Sequence, residues 1–222
     1  MSGTPVATPQ VDAVIFDLGG VFTTSSPFDA VRAMAVDLGI PGDVAIQLLF
    51  GPYDDDTDHP WHRAERGTLG IVECRAEVLE LSRAEVGVEV DLFQLIGYMA
   101  DGGTGMRSAF VDRARRLRAA GVRTGLLTNH VVEFSSSWRA ELAVDELFDD
   151  VVDSCEVGLR KPTDEIFHLA LERLGGPEPQ RTAFLDDWPG NVAAARRNGL
   201  VGIVVESDPA PALAELDALM GW

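Results

Sequence analysis

Along the chain, short apolar runs that end on carboxylates or turn residues alternate with longer stretches whose apolar positions recur every three or four residues. Five runs read as strands: residues 12–18 within VDAVIFDL, GVRTGLLT ending at Asn129, DDVVDS, RTAFLDD closing on two carboxylates, and VGIVVE after Gly199. The helical period covers 106–119, 162–174 and 189–198, with stops at Gly121, at Gly175 and Gly176, and at Gly199. Strands alternating with helices predict an α/β fold, a Rossmann-like doubly wound parallel sheet.

Residues 27–103 break that rhythm. Ser26 and Pro27 form a helix start, Phe28, Val31, Ala35 and Leu38 share one face, and further helical patterns run over 44–50, 71–81 and 91–100. The expected organisation is an α/β core over 1–26 and 104–222, interrupted by an all-helical cap over 27–103. The opening MSGTPVATPQ lacks the cationic start and apolar run of a signal peptide and reads as a short disordered leader. No apolar stretch approaches the roughly 18 residues of a membrane span.

Composition narrows the partners. With 222 residues and 46% hydrophobic content the chain can bury a sizeable core. A net charge of -18 argues against nucleic acid and against an anionic membrane surface. Any phosphorylated ligand must therefore be held by local donors or a metal. Cys74 and Cys155 form neither a disulfide framework nor a metal-binding pair and suit a reducing cytoplasm. Among 18 basic residues Lys161 is the sole lysine.

The polar residues at the strand ends belong together, because open α/β sheets bind ligands outside the carboxyl ends of their strands. Strand one delivers Asp17 and then Gly19 and Gly20, strand two delivers Thr128 and Asn129, the loop after strand three carries Lys161, and strand four delivers Asp186 and Asp187. Transfer of a phosphoryl group needs an in-line nucleophile, neutralisation of its equatorial oxygens and a metal bridge. A compact ammonium fits a slot between crowded anions where a planar guanidinium does not, which accounts for a lysine at 161.

The segments FDLGGVF, LLTNH, SCEVGLRKPTDEIF and FLDDWPGN, in that order, resemble the four motifs of the haloacid dehalogenase superfamily, in the branch with a small helical cap that includes sugar-phosphate phosphatases. The resemblance implies a Mg²⁺-dependent phosphomonoesterase that acts on a small phosphorylated metabolite through an aspartyl-phosphate on Asp17. It places the metal on Asp17, the Gly19 carbonyl, Asp186 and Asp187. Gly19, Gly20, Thr128, Asn129 and Lys161 would hold the phosphate, with Thr128 and Lys161 assisting Asp17 in catalysis. Asn191 either bonds the site loops or faces solvent.

Family phosphatases usually carry a second aspartate, the general acid and base, where this chain has Gly19. Leaving groups of low pKa should therefore be favoured; similar rates on alkyl and aryl esters would point instead to a substitute acid, with His59 and His62 as the candidates. Two alternatives stay open: a weak relative that binds a phosphorylated ligand, and a 2-haloacid dehalogenase, disfavoured by the paired acids. In YDDDTDHPWHRAERG, the residues His59, Trp61, His62, Arg63 and Arg66 are candidates for the pocket mouth. A homodimer is compatible with the sequence.

Overall fold

The computed structural model describes residues 10–24, 27–101 and 105–222. Most of the expected leader, the Ser26 helix start and the 103/104 junction lie outside these residues. Five strands, β1 (Ala13–Phe16), β2 (Arg123–Thr128), β3 (Asp150–Asp153), β4 (Thr182–Asp186) and β5 (Val201–Val204), form one parallel sheet in the order β3-β2-β1-β4-β5. Successive side chains point to opposite faces. Val14 and Phe16 join Leu126, Leu185 and Ile203 on one face, while Ile15 joins Leu127, Val152 and Phe184 on the other. Both faces are buried, so the strands read as continuous apolar runs and the doubly wound expectation holds.

Between β1 and β2 the chain is helical: α1 (Pro27–Leu38), α2 (Gly42–Phe50), α3 (Pro60–Glu65), α4 (Ile71–Val86) and α5 (Leu92–Asp101) lead into α6 (Ser108–Ala119). The first five share a hydrophobic cluster in which Phe28, Val31, Met34 and Ala35 of α1 meet Leu48, Leu49 and Phe50 of α2 and Cys74 and Val78 of α4. The face expected for α1 is thus its buried face. After β2 come α7 (Val132–Glu141), α8 (Val144–Leu147), α9 (Ser154–Val157), α10 (Asp164–Arg173), α11 (Pro189–Arg197) and α12 (Ala210–Met220).

Helices α3, α7 and α12 lie where the hydrophobic pattern predicts none, and α4 runs past its expected end at Leu81 to Val86. In α7 only Trp138 is buried, and the serine run erases the period. Helix α3 starts at Pro60, with the His59 ring accepting the Trp61 amide as an N-cap. No single helix among the described residues is long and apolar enough to cross a membrane.

Register sets up the site. The β1–β4 pairing aligns Phe16 with Leu185, so Asp17 and Asp186, each one residue further on, stand side by side at the carboxyl ends of the two strands.

Candidate active site

Lys161 joins three strand ends. Its Nζ donates to Asp17 Oδ1 at 2.7 Å, to Asp186 Oδ2 at 2.7 Å and to the Leu127 carbonyl at 3.0 Å. An ammonium has three donors, and all three are used. The side chain is buried. Burial alone would push its pKa down, but the adjacent Asp17 and Asp186 carboxylates outweigh it and hold the group above its ordinary value. Asn129 fixes the Lys161 backbone: its Oδ1 accepts the Lys161 amide and its Nδ2 donates to the Lys161 carbonyl. The side chain of Asn129 is thereby committed to Lys161, while the residue itself lines the cavity described below.

Asp186 is held from the other side by the Trp188 amide at 2.8 Å and by Asn191 Nδ2, which lies 3.2 Å and 3.1 Å from its two oxygens. Asn191 is buried, so it bonds the site rather than facing solvent. Ligand oxygens of Asp17, Asp186 and Asp187 lie within 4.8 Å of one another. Burial pushes the Asp17 carboxyl up to about 6, with Lys161 opposing and Asp186 reinforcing. Burial likewise pushes Asp187 up to about 8, reinforced by Asp186 and Asp17. Lys161 thus bonds two of three clustered carboxylates, Asp17 and Asp186. That uncompensated negative charge on hard oxygens fits a divalent cation of the magnesium type.

The two glycines of the first motif do different things. Gly20 has φ +65°, and a Cβ there would collide with the Asp187 carboxylate. Its amide donates to Thr23 Oγ1 at 3.2 Å, so this N–H is already bonded within the loop. Gly19 has no such constraint: a Cβ would meet only Asp17 Oδ2, at 3.7 Å.

Above the cluster lies a cavity of about 470 Å³, floored by Asp17, Gly19, Thr128, Asn129, Lys161 and Asp187. The inserted helices roof it with Phe28, Phe50, Tyr53, Trp61 and Glu65. Roof and floor are tied by Trp188 Nε1 donating to Asp54 Oδ1 at 2.8 Å and by the buried Arg160, whose Nε donates to Glu65 Oε2 at 2.7 Å and whose guanidinium also reaches the Asp55 carbonyl. Burial, together with the Glu65, Asp187 and Asp17 charges and against Arg160, holds the Tyr53 phenol well above its ordinary pKa, so it remains a donor.

Of the residues expected at the pocket mouth, Trp61 lines the cavity and the other four do not. His59 accepts the Trp61 amide and His62 accepts the Thr57 amide, and burial lowers their pKa values to about 4 and about 3. Arg63 pairs with Glu77, and Arg66 with Asp56. Both histidine rings accept backbone amides of their own loop and helix and stand outside the cavity lining. Sequence reasoning missed Tyr53, Glu65, His130 and Arg160. Arg160, adjacent to Lys161 in the third motif, and His130, adjacent to Asn129 in the second, carried a signal.

The haloacid dehalogenase-like hydrolase family matches residues 11–199. The chain is 32% identical over 215 residues to acyl-CoA dehydrogenase family member 10 of Mus musculus, covering 95% of this chain and 19% of that protein. It is 35% identical over 220 residues to bifunctional epoxide hydrolase 2 of Rattus norvegicus, covering 93% of this chain and 38% of that protein. It therefore spans well under half the length of either. Phosphoglycolate phosphatase of Salmonella typhimurium is 28% identical over 200 residues, covering 86% of this chain and 79% of that protein. Among solved structures, a HAD family enzyme of Bacteroides thetaiotaomicron in complex with magnesium and inorganic phosphate superposes with a TM-score of 0.60 at 20% identity, covering 89% of this chain and 95% of that one. L-2-haloacid dehalogenase of Xanthobacter autotrophicus superposes with a TM-score of 0.58 at 22% identity, covering 92% and 81%. A phosphate-bound enzyme and a dehalogenase share this fold, so the choice between the two chemistries rests on the site.

Proposed function

The chain belongs to the haloacid dehalogenase-like hydrolases, and from that premise we propose that it is a Mg²⁺-dependent phosphomonoesterase working through an aspartyl-phosphate on Asp17. The carrying observation is the charge imbalance at the strand ends, three clustered carboxylates of which one ammonium bonds two. Displacing halide from a haloacid needs one nucleophilic carboxylate and gains nothing from two more. The phosphatase among the relatives and the magnesium- and phosphate-bound neighbour point the same way. Residues 27–103 are the cap of this enzyme, and 1–26 with 104–222 are its catalytic core.

Asp17, the Gly19 carbonyl, Asp186 and Asp187 would hold Mg²⁺, which when bound neutralises charge on the phosphoryl oxygens. Lys161 engages Asp17 Oδ1, which leaves Oδ2 as the attacking atom. As the Oδ2–phosphorus bond forms, the bond from phosphorus to the ester oxygen breaks. Thr128 Oγ1 and the Lys161 ammonium stabilise the charge on the transferring group. Water then attacks phosphorus, the bond to Asp17 breaks, and inorganic phosphate leaves. At Gly19 no carboxylate shares these proton transfers, so the departing oxygen must carry much of its own charge.

Phosphate release from an aryl phosphate, measured with Mg²⁺ and with EDTA, tests the reading. Wild-type protein should turn over only with the metal, and Asp17→Asn should be inactive with an unchanged circular dichroism spectrum. Turnover surviving in Asp17→Asn would overturn it. Gly19 supports one second reading, a weak catalyst that binds a phosphorylated ligand, which predicts saturable phosphate binding with negligible turnover.

A further inference from the structure

The walls of the cavity do not suit a small, multiply charged metabolite. Opposite Asp17, the rings of Phe28, Tyr53 and Trp188 form a closed aromatic group with centroids 5.0, 5.2 and 4.9 Å apart, and Phe50, 6.0 Å from Phe28, carries it on to Trp61 at 5.1 Å. The lining continues outward between α5 and α7 to Phe93, Ile96 and Phe134, which are 39%, 51% and 37% exposed. One apolar track thus runs from the buried rings to an exposed rim. Solvent-facing apolar side chains grouped at a pocket mouth mark a surface that a ligand covers.

Charge is as selective as shape. Among the described residues lining the cavity, Lys161 is the one Lys or Arg, and its ammonium lies on the floor between Asp17 and Asp186, at the phosphate end and not along the apolar track. Glu65 is the carboxylate of the roof, held by Arg160 and by Trp61 Nε1 at 2.8 Å. Apart from His130, whose Nδ1 accepts the Val131 amide, the lining offers nothing cationic to a carboxylate on the substrate.

We infer that the substrate is a phosphate monoester with an apolar tail, alkyl or aryl, its phosphate at Asp17 and Lys161 and its tail running along the aromatic roof and out between α5 and α7. This rests on the phosphatase reading above and sharpens it. Carboxylated esters such as phosphoglycolate are poor substrates, in contrast to the relative that carries that name.

The test is kcat/KM for ethyl, hexyl and decyl phosphate below their micelle-forming concentrations, beside phenyl phosphate and phosphoglycolate, together with calorimetric affinities for ethyl- and decylphosphonate in Mg²⁺. Each methylene entering the track should raise kcat/KM by up to about fourfold until the tail passes the rim. Ile96→Lys, at an exposed position that will not disturb folding, should flatten that slope. If phosphate is released but kcat/KM is flat with chain length, or phosphoglycolate is preferred, the inference falls and the phosphatase reading stands. If no ester is turned over, the phosphatase reading falls, and the phosphonates decide the inference: tighter binding of the decyl compound supports it, equal binding overturns it.

Discussion

Asn129 grips the backbone of Lys161 with both ends of its side-chain amide, Oδ1 accepting from the Lys161 amide at 2.8 Å and Nδ2 donating to the Lys161 carbonyl at 2.9 Å. The clamp ties the end of β2 to the loop that follows β3 and α9, so the ammonium reaches Asp17 from a braced backbone rather than from a free loop. Truncation leaves a buried donor and acceptor unpaired, at about 1–3 kcal/mol each. Asn129→Ala should therefore lower kcat about 10- to 100-fold with little change in KM, and lower Tm by several degrees. Unchanged kcat would mean that Asp17 and Asp186 alone position Lys161.

Lys161→Arg should fail nearly as badly as Lys161→Ala. Three acceptors converge on one small ammonium in a site only 1% exposed, and a guanidinium there cannot meet all three. Loss of about 10²–10³ in kcat is expected for either variant. Lys161→Met also strands the two carboxylates, costing about 3–5 kcal/mol in urea unfolding. An arginine variant near wild-type rate would show a roomier slot than these contacts describe.

Acidity links the cluster to stability. With Asp17 raised to about 6 and Asp187 to about 8 from an ordinary 3.8, the folded protein binds more protons than the unfolded chain across that interval. Their contribution to stability is present at low pH and is lost as pH rises from about 4 through about 8. Mg²⁺ competes with those protons for the same oxygens, so its stabilising effect should grow over the same interval. Scanning fluorimetry from about pH 5 to about pH 8.5, with Mg²⁺ or EDTA, reads both trends, and Asp187→Asn isolates the contribution of that carboxyl. A Mg²⁺ increment that is constant with pH would contradict this account.

Gly19→Asp is sterically permitted, since a Cβ at this position meets only Asp17 Oδ2 at van der Waals distance and the backbone needs no left-handed φ. General acid–base assistance is worth about 10²–10⁴ in rate. The variant should gain most on alkyl esters, whose leaving groups have high pKa values, and little on aryl esters. The steep dependence on leaving-group pKa expected of the wild type should flatten. If wild type already hydrolyses alkyl and aryl esters at similar chemical-step rates, another group supplies the proton. Tyr53, a protonated phenol in the roof, is then the first residue to replace, by Phe.

The chain is legible wherever burial or chemistry constrains it locally. A strand covered on both faces must be a continuous apolar run, and a ligand crevice lies at the carboxyl ends of such strands. From these, the five strands, the three helices beginning near 106, 162 and 189, the helical insertion and the convergence of Asp17, Thr128, Lys161, Asp186 and Asp187 follow from residue order alone. The isolation of Lys161 in an arginine-rich composition pointed to a crowded slot, and the slot has three acceptors. What one dimension could not carry is the direction in which a side chain points once two elements cross. The fragment containing His59 to Arg66 offers five polar or aromatic candidates, and the packing of α3 on α2 and α4 turned one of them, Trp61, toward the cavity while closing the histidines into the roof. Asn129 was legible as a site residue, but its pairing with a backbone 32 positions later depends on how the loop after β3 returns to β2. The apolar track is the same kind of result: its walls come from α1, α2, α5, α7 and the loop after β4, brought together only when the inserted helices close over the strand ends. Sequence determined which chemistry stands at the end of the sheet, because that chemistry is fixed by residue type and strand order. Tertiary packing decided what the site can admit, because a cavity is bounded by surfaces distant in sequence.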